Sequence, residues 1–229
     1  MVGPHREKAA TAAGSVWKRN SFLKRNPALT RRGFRRHYAE VHGPLAASQA
    51  GFRRHTLRYV QNHVEAGEDD ETLFDGITMT TQVPRADYTR GFFHEPDYAN
   101  VKPDELYLFD IDRTVSVLGE VIVSPTVAPQ GYKAVLLSGA GWSPPAHLCI
   151  EGASQLSASR LDVSNASALG FSGAVFVHPY MVEAWFAAAE DRDRAVDSPE
   201  LLLGAGSIGL PVTEILIFGP ERPWPAFVS

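Results

Sequence analysis

The residue best placed to move a proton is His42. Phe34, Tyr38 and Val41 recur at helical spacing after Thr30, a suitable N-cap, and Gly43-Pro44 is read as the stop directly after His42. The last carbonyls of a helix favour an imidazolium, and an imidazole gives or takes a proton near neutral pH. The competing reading is a histidine that only caps the helix end. His63 shares one face of an expected strand with Tyr59 and Gln61. If that face lines a cleft, Tyr59 and Gln61 can hydrogen-bond an oxyanion and His63 is a second acid-base group. The alternative is an edge strand facing solvent, and Glu120 on a later strand has the same ambiguity. Asp110 and Asp112 lie two apart, on one side of an extended segment, where Asp110 can pair with His42; an exposed turn is the other reading.

His37 and His42 are five apart and would splay around an α-helix. His178 precedes Pro179 at an expected strand end. No His-x-His or His-x-x-x-His spacing occurs, so neither a metal nor an axial haem ligand is expected. The one cysteine, Cys149, excludes an internal disulfide and is read as a buried, inert thiol in a reducing, cytoplasmic setting.

These residues are carried by a β-α-β-β-α-β pattern. The strands are expected at 15–24, 57–64, 74–83 and 114–123, the helices at 30–42 and 84–93. On the last strand Val115, Val117, Val121 and Val123 share the apolar face. After a linker at 125–131 the pattern recurs. Strands are read at 133–137, 159–163, 171–177 and 210–218, and helices at 144–156 and 179–191, the latter with Met181, Trp185, Phe186 and Ala189 on one face. Lys102-Pro103-Asp104-Glu105-Leu106 is echoed by Ser198-Pro199-Glu200-Leu201. We read a duplication: an α+β chain with a tail at 1–14 and ferredoxin-like units at 15–124 and 131–229. A ferredoxin-like sheet has helices on one face only, so two such sheets packed together would form one barrel with a cleft between them.

Composition narrows the function. Of 229 residues, 44% are hydrophobic, enough for one large core or two small ones. No apolar run reaches the roughly 18 residues of a membrane span. The net charge of -4 is uneven: residues 1–58 hold thirteen Lys or Arg and two acids. No aromatic-interleaved motif accompanies them, so this is read as a solvated helix face with salt bridges rather than a nucleic-acid surface.

The runs Phe22-Leu23-Lys24-Arg25-Asn26-Pro27-Ala28-Leu29-Thr30, Phe34-Arg35-Arg36-His37-Tyr38, His42-Gly43-Pro44-Leu45 and Arg58-Tyr59-Val60-Gln61-Asn62-His63 together resemble the EthD domain family. Phe74-Asp75-Gly76 and Tyr98 with Asp104, Glu105, Phe109 and Asp110 continue the likeness over about residues 15–124. The second half matches in element order only and has no His-Gly-Pro-Leu. The resemblance implies a dimeric-α/β-barrel-type fold. It also implies a cofactor-independent lyase of secondary metabolism, a decarboxylase or dehydratase/cyclase, acting on an aromatic or polyketide-like small molecule. His42, His63 and Asp110 would be catalytic, and Tyr38, Tyr59, Gln61, Tyr98 and Glu120 would hold the substrate. A shape-driven cyclase or pericyclase, and a non-catalytic binding or stress-response barrel, are the rivals. A homodimer is compatible with the family; fold alone does not choose among activities.

Overall fold

The structure is a computed structural model and describes residues 15–84, 91–165 and 176–221. The expected tail at 1–14, most of the helix read at 84–93 and most of the strand read at 171–177 lie outside these residues.

The first half runs β1 (Trp17–Leu23), α1 (Arg31–His37), a π-helical turn (Tyr38–His42), α2 (Gly43–Ser48), α3 (Ala50–His55), β2 (Thr56–Val64) and β3 (Gly76–Gln82). It ends with α4 (Lys102–Leu108) and β4 (Val115–Val123). The second half runs β5 (Tyr132–Leu137), β6 (Ala153–Leu161), β7 (Tyr180–Phe186), α5 (Ala189–Asp197), α6 (Pro199–Leu203) and β8 (Ile208–Phe218). The eight strands close into one barrel in the order β1-β3-β2-β8-β5-β7-β6-β4, all pairs antiparallel. Counted within each half, both sheets read fourth, first, third, second strand. Pro103 and Pro199, the echoed prolines, each stand in the first turn of a helix (α4 and α6) that precedes a half's last strand.

The barrel interior is a packed core, not the cleft expected between the sheets. Phe22, Val60, Ile77, Val115, Val135, Leu161, Met181 and Leu210, one from each strand, belong to a single buried cluster. The period of two explains this: these residues all project from the inward side of their strands. The same inward faces carry charges toward one end. Glu183 receives Lys18 Nζ at 2.5 Å and Lys133 Nζ at 2.7 Å, and Lys133 also reaches Glu214 at 2.5 Å. Lys133 Nζ stands 4.7 Å from the Trp185 ring centre. Burial would raise the carboxyl pKa of Glu183, but the two ammonium groups override it and hold it well below the usual carboxylate range.

Two helices expected in the second half are absent. Residues 144–152 form no helix, and β6 starts at Ala153, earlier than the strand read at 159–163. Pro144-Pro145 removes donors and restricts the residue before each ring, and Gly152 adopts a φ of 78°. Cys149 lies in this loop and is exposed, not buried. The helix read at 179–191 is instead β7, with α5 beginning only at Ala189. β7 is buried on both faces, so it lacks the polar alternation that marks a half-buried strand.

In the first half, Thr30 Oγ1 accepts from Gly33 N at 3.0 Å and caps α1 as expected. Arg31, read as surface, is buried and donates to Asp75 at 2.6 Å. Lys24 and Arg25 lie 3.3 and 3.4 Å from that same carboxylate, which ties the turn after β1 to the loop before β3. Among the described residues, no helix is long and apolar enough to cross a membrane.

Candidate active site

Helical backbone does not stop at Gly43-Pro44. It continues through a π-helical turn into α2, so His42 is not at a helix end and the dipole argument for it does not hold. The turn closes by Gly43 N–H donating to Tyr38 O, five residues back. Pro44 takes the N1/N2 position of α2, where a missing N–H costs little. Gly43 is needed for packing: a Cβ there would meet Gln61 Nε2 and Ile217 Cδ1 at 2.9 Å.

The π-turn brings together what an α-helix would splay. Five residues make little more than one π-helical turn, so His37 and His42 reach the same carboxylate. Asp104 Oδ1 is 2.5 Å from His37 Nε2, and Oδ2 is 2.8 Å from His42 Nδ1. Burial would raise the pKa of Asp104, but the hydrogen bonds from His42 and His37 outweigh it and hold the carboxyl below its ordinary value. An ionised Asp104 fixes the proton of a neutral His42 on Nδ1 and leaves the lone pair on Nε2.

His42 lines a cleft between the outer face of the first-half sheet and the helices above it. The cleft has a cavity volume of about 60 Å³ and opens to solvent. Its floor comes from outward-facing positions of three neighbouring strands: Ser21 is paired with Thr78, Arg19 with Thr80, and Tyr59 with Thr80. Its apolar walls include Phe52, Phe92, Phe93 and Phe109. The Arg19 guanidinium lies 5.6 Å from the Phe93 ring centre. Phe109 meets His42 edge-on at 5.3 Å. Glu105 completes the lining and is held by Tyr98, whose hydroxyl donates to Oε2 at 2.5 Å. Burial raises the Glu105 pKa; His42, Tyr98 and Lys102 oppose that shift and Asp104 adds to it.

Of the residues read from sequence, His42 and Tyr59 stand in the cleft. Burial keeps the Tyr59 phenol protonated well above its ordinary range, so it can donate. The other six lie elsewhere. His63 is packed beneath the helical layer, 4.9 Å from the Tyr38 ring, with Nε2 3.2 Å from Gln61 Oε1. Burial and the Arg35 charge push its pKa down to about 4, so it is neutral at pH 7 and poorly placed to exchange protons. Gln61 donates its amide to Tyr38 O at 2.7 Å and Tyr59 Oη at 3.0 Å; it supports the π-turn and does not face an oxyanion. Tyr38 is fully buried and shares a 2.6 Å hydrogen bond with the cleft hydroxyl of Thr78. Tyr98 stands one layer behind the cleft. Asp110 opens the turn at Ile111–Arg113 and is not the partner of His42; Asp104 is. Glu120 is bonded to Ser15 at 2.8 Å and ion-paired with Arg160, away from the cleft.

Sequence reasoning missed Asp104 and Glu105 as site residues, seeing in them only part of a family likeness and a repeat. Nothing local connects Asp104 with a histidine 62 residues earlier. Among the described residues, no group of three or more His, Cys, Asp or Glu side chains is arranged to hold a metal. The His63 assignment is checked by NMR titration: its ring is expected to titrate near pH 4. Because that value lies below the unfolded value of about 6.5, its neutral form stabilises the fold above pH 6.5. About 3 kcal/mol is lost as the pH falls toward 4. A midpoint near 6.5 would show that the ring is solvated.

An eight-stranded antiparallel barrel from one chain, with a cleft under the helices of one half, defines a dimeric-α/β-barrel-type protein. Residues 26–112, from the turn after β1 through α4, match the EthD domain family. Among solved structures, the chain is similar to an anthrone oxidase-like protein, with a TM-score of 0.50 and 9% identity over 92% of this chain and 98% of that one. It is also similar to a candidate monooxygenase from Lactobacillus acidophilus, with a TM-score of 0.49 and 9% identity over 88% and 95% of the two chains. No curated protein matches it in sequence.

Proposed function

We propose that the protein is an enzyme, a cofactor-independent lyase acting on an aromatic or polyketide-like ketone. The observation that carries this reading is the His42–Asp104 pair, 2.8 Å apart, at the edge of an aromatic-walled cleft floored by hydroxyls. A flat substrate lies between the phenylalanines and the strand surface. His42 Nε2 takes a proton from the carbon next to the substrate carbonyl. Asp104 holds the imidazole in the required tautomer and stabilises the imidazolium that forms. The Tyr59 phenol and the hydroxyls of Thr78 and Thr80 donate to the developing enolate oxygen. Expulsion of a β-hydroxyl from that enolate completes a dehydration, whereas a β-keto acid reaches the same enolate by losing carbon dioxide in place of the proton.

The test uses plain tetralone as probe. Purified protein, treated with chelator and desalted, is incubated with tetralone in deuterium oxide, and proton NMR follows the hydrogens next to the carbonyl. Catalysed exchange above the buffer rate is expected. Exchange no faster than buffer would contradict proton abstraction in this cleft.

A further inference from the structure

We infer that Glu105 is the acid of this cleft: it protonates the oxygen that leaves as His42 takes the carbon-bound proton, and Tyr98 positions it. The inference rests on the reading above and narrows it to elimination of water from a β-hydroxy ketone.

The geometry supplies the argument. Asp104 and Glu105 are neighbours on α4, yet their side chains serve different places. Asp104 is occupied by two histidines, whereas Glu105 lines the cleft and is 9% exposed. Its Oε2 is fixed by Tyr98, itself clamped edge-on between Phe92 and Phe93 at 5.4 and 5.0 Å. Among the described residues Tyr98 is the hydrogen-bond partner of Glu105, so Oε1 is the oxygen left for a ligand. A buried carboxyl held at one oxygen by a phenol donor can carry its proton on the other.

The groups around it fit that role. His42 faces Glu105 from the π-turn, Asp104 and Lys102 lie on its own helix, Tyr98 comes from the preceding turn and Tyr59 from β2. Two neighbouring carboxyls in environments that push their proton affinities apart are the arrangement that assigns an acid and a base-orienting anion.

In the step itself, His42 Nε2 takes the proton next to the ketone, and the C–H electron pair forms the new carbon–carbon double bond. The C–O bond at the β-carbon breaks, and its electron pair leaves with the oxygen, which takes the Glu105 proton and departs as water. His42 is left as imidazolium and Glu105 as carboxylate, and solvent returns the proton from one to the other.

The test pairs two probes. Hydroxytetralone, with its hydroxyl β to the ketone, loses water to give a fluorescent naphthol; plain tetralone can only exchange. Glu105→Gln is expected to slow naphthol formation by at least about 100-fold, and by at least about tenfold more than it slows exchange on tetralone. Tyr98→Phe is expected to lower kcat for naphthol formation more than it raises KM, and more than it slows exchange. Thermal melts confirm that both variants fold. Glu105→Gln slowing both reactions by the same factor, or neither, would overturn the inference. Absence of exchange by the wild type would count instead against proton abstraction itself, so the two failures are distinguishable.

Discussion

Replacing His42 by glutamine is expected to slow deuterium exchange on tetralone by about 100- to 10,000-fold, the range that a positioned acid-base group supplies. Glutamine keeps a donor near Asp104 but cannot titrate. The thermodynamic cost is therefore about 1 kcal/mol, a shift of about 2–4 °C in melting temperature for a chain of this size. His42→Ala removes the donor as well as ring contacts with Tyr38 and Phe109, and is expected to cost about 1–3 kcal/mol more. A structural His42 would give the opposite pattern, a lowered melting temperature with the specific activity of the folded fraction preserved. Asp104→Asn should follow His42→Gln in rate, because an amide no longer fixes the imidazole tautomer.

The second large effect is on stability. Glu183→Gln would leave Lys18 and Lys133 without the carboxylate that both contact inside the barrel. Removing one partner of a buried ionic group typically costs about 3–5 kcal/mol, here a fall of roughly 6–20 °C in melting temperature. The pH dependence follows from the sign of the shift. The folded carboxyl lies below its unfolded value of about 4.3, so its contribution is present above pH 4.3 and fades as the pH falls below it. The gap between wild type and variant should therefore narrow in acid. A gap independent of pH would show that Glu183 acts through packing. Lys18 is on a first-half strand while Lys133 and Glu183 are on second-half strands, so this cluster also joins the two sheets.

The first half was legible because its strands are simple. β2 and β4 alternate, Thr30 announces α1, and each expected strand boundary lies within about two residues of the observed one. The second half was less so. Met181, Trp185, Phe186 and Ala189 satisfy a helical period, and a strand buried on both sides leaves no polar face to contradict it. Glu183, a buried charge, further disguised the inward face. At the site, the residue types pointed to His42 and Tyr59, but the local geometry did not show. A π-turn has no single-sequence signature, so Gly43-Pro44 read as a stop and His37 as splayed away from His42. The cleft was sought between the sheets because the uncovered sheet face demanded a partner. The inward apolar residues of all eight strands supply that partner, and the open space lies under the helices instead.

The most direct test of this account is a crystal structure of the protein with naphthol, the product of the elimination. The account predicts the ring between Phe52, Phe92, Phe93 and Phe109 and the floor of Thr78 and Thr80, with His42 Nε2 facing the ring edge. Naphthol seated inside the barrel, or in the separate cavity beside Phe176 and His178, with the His42 cleft empty, would contradict it.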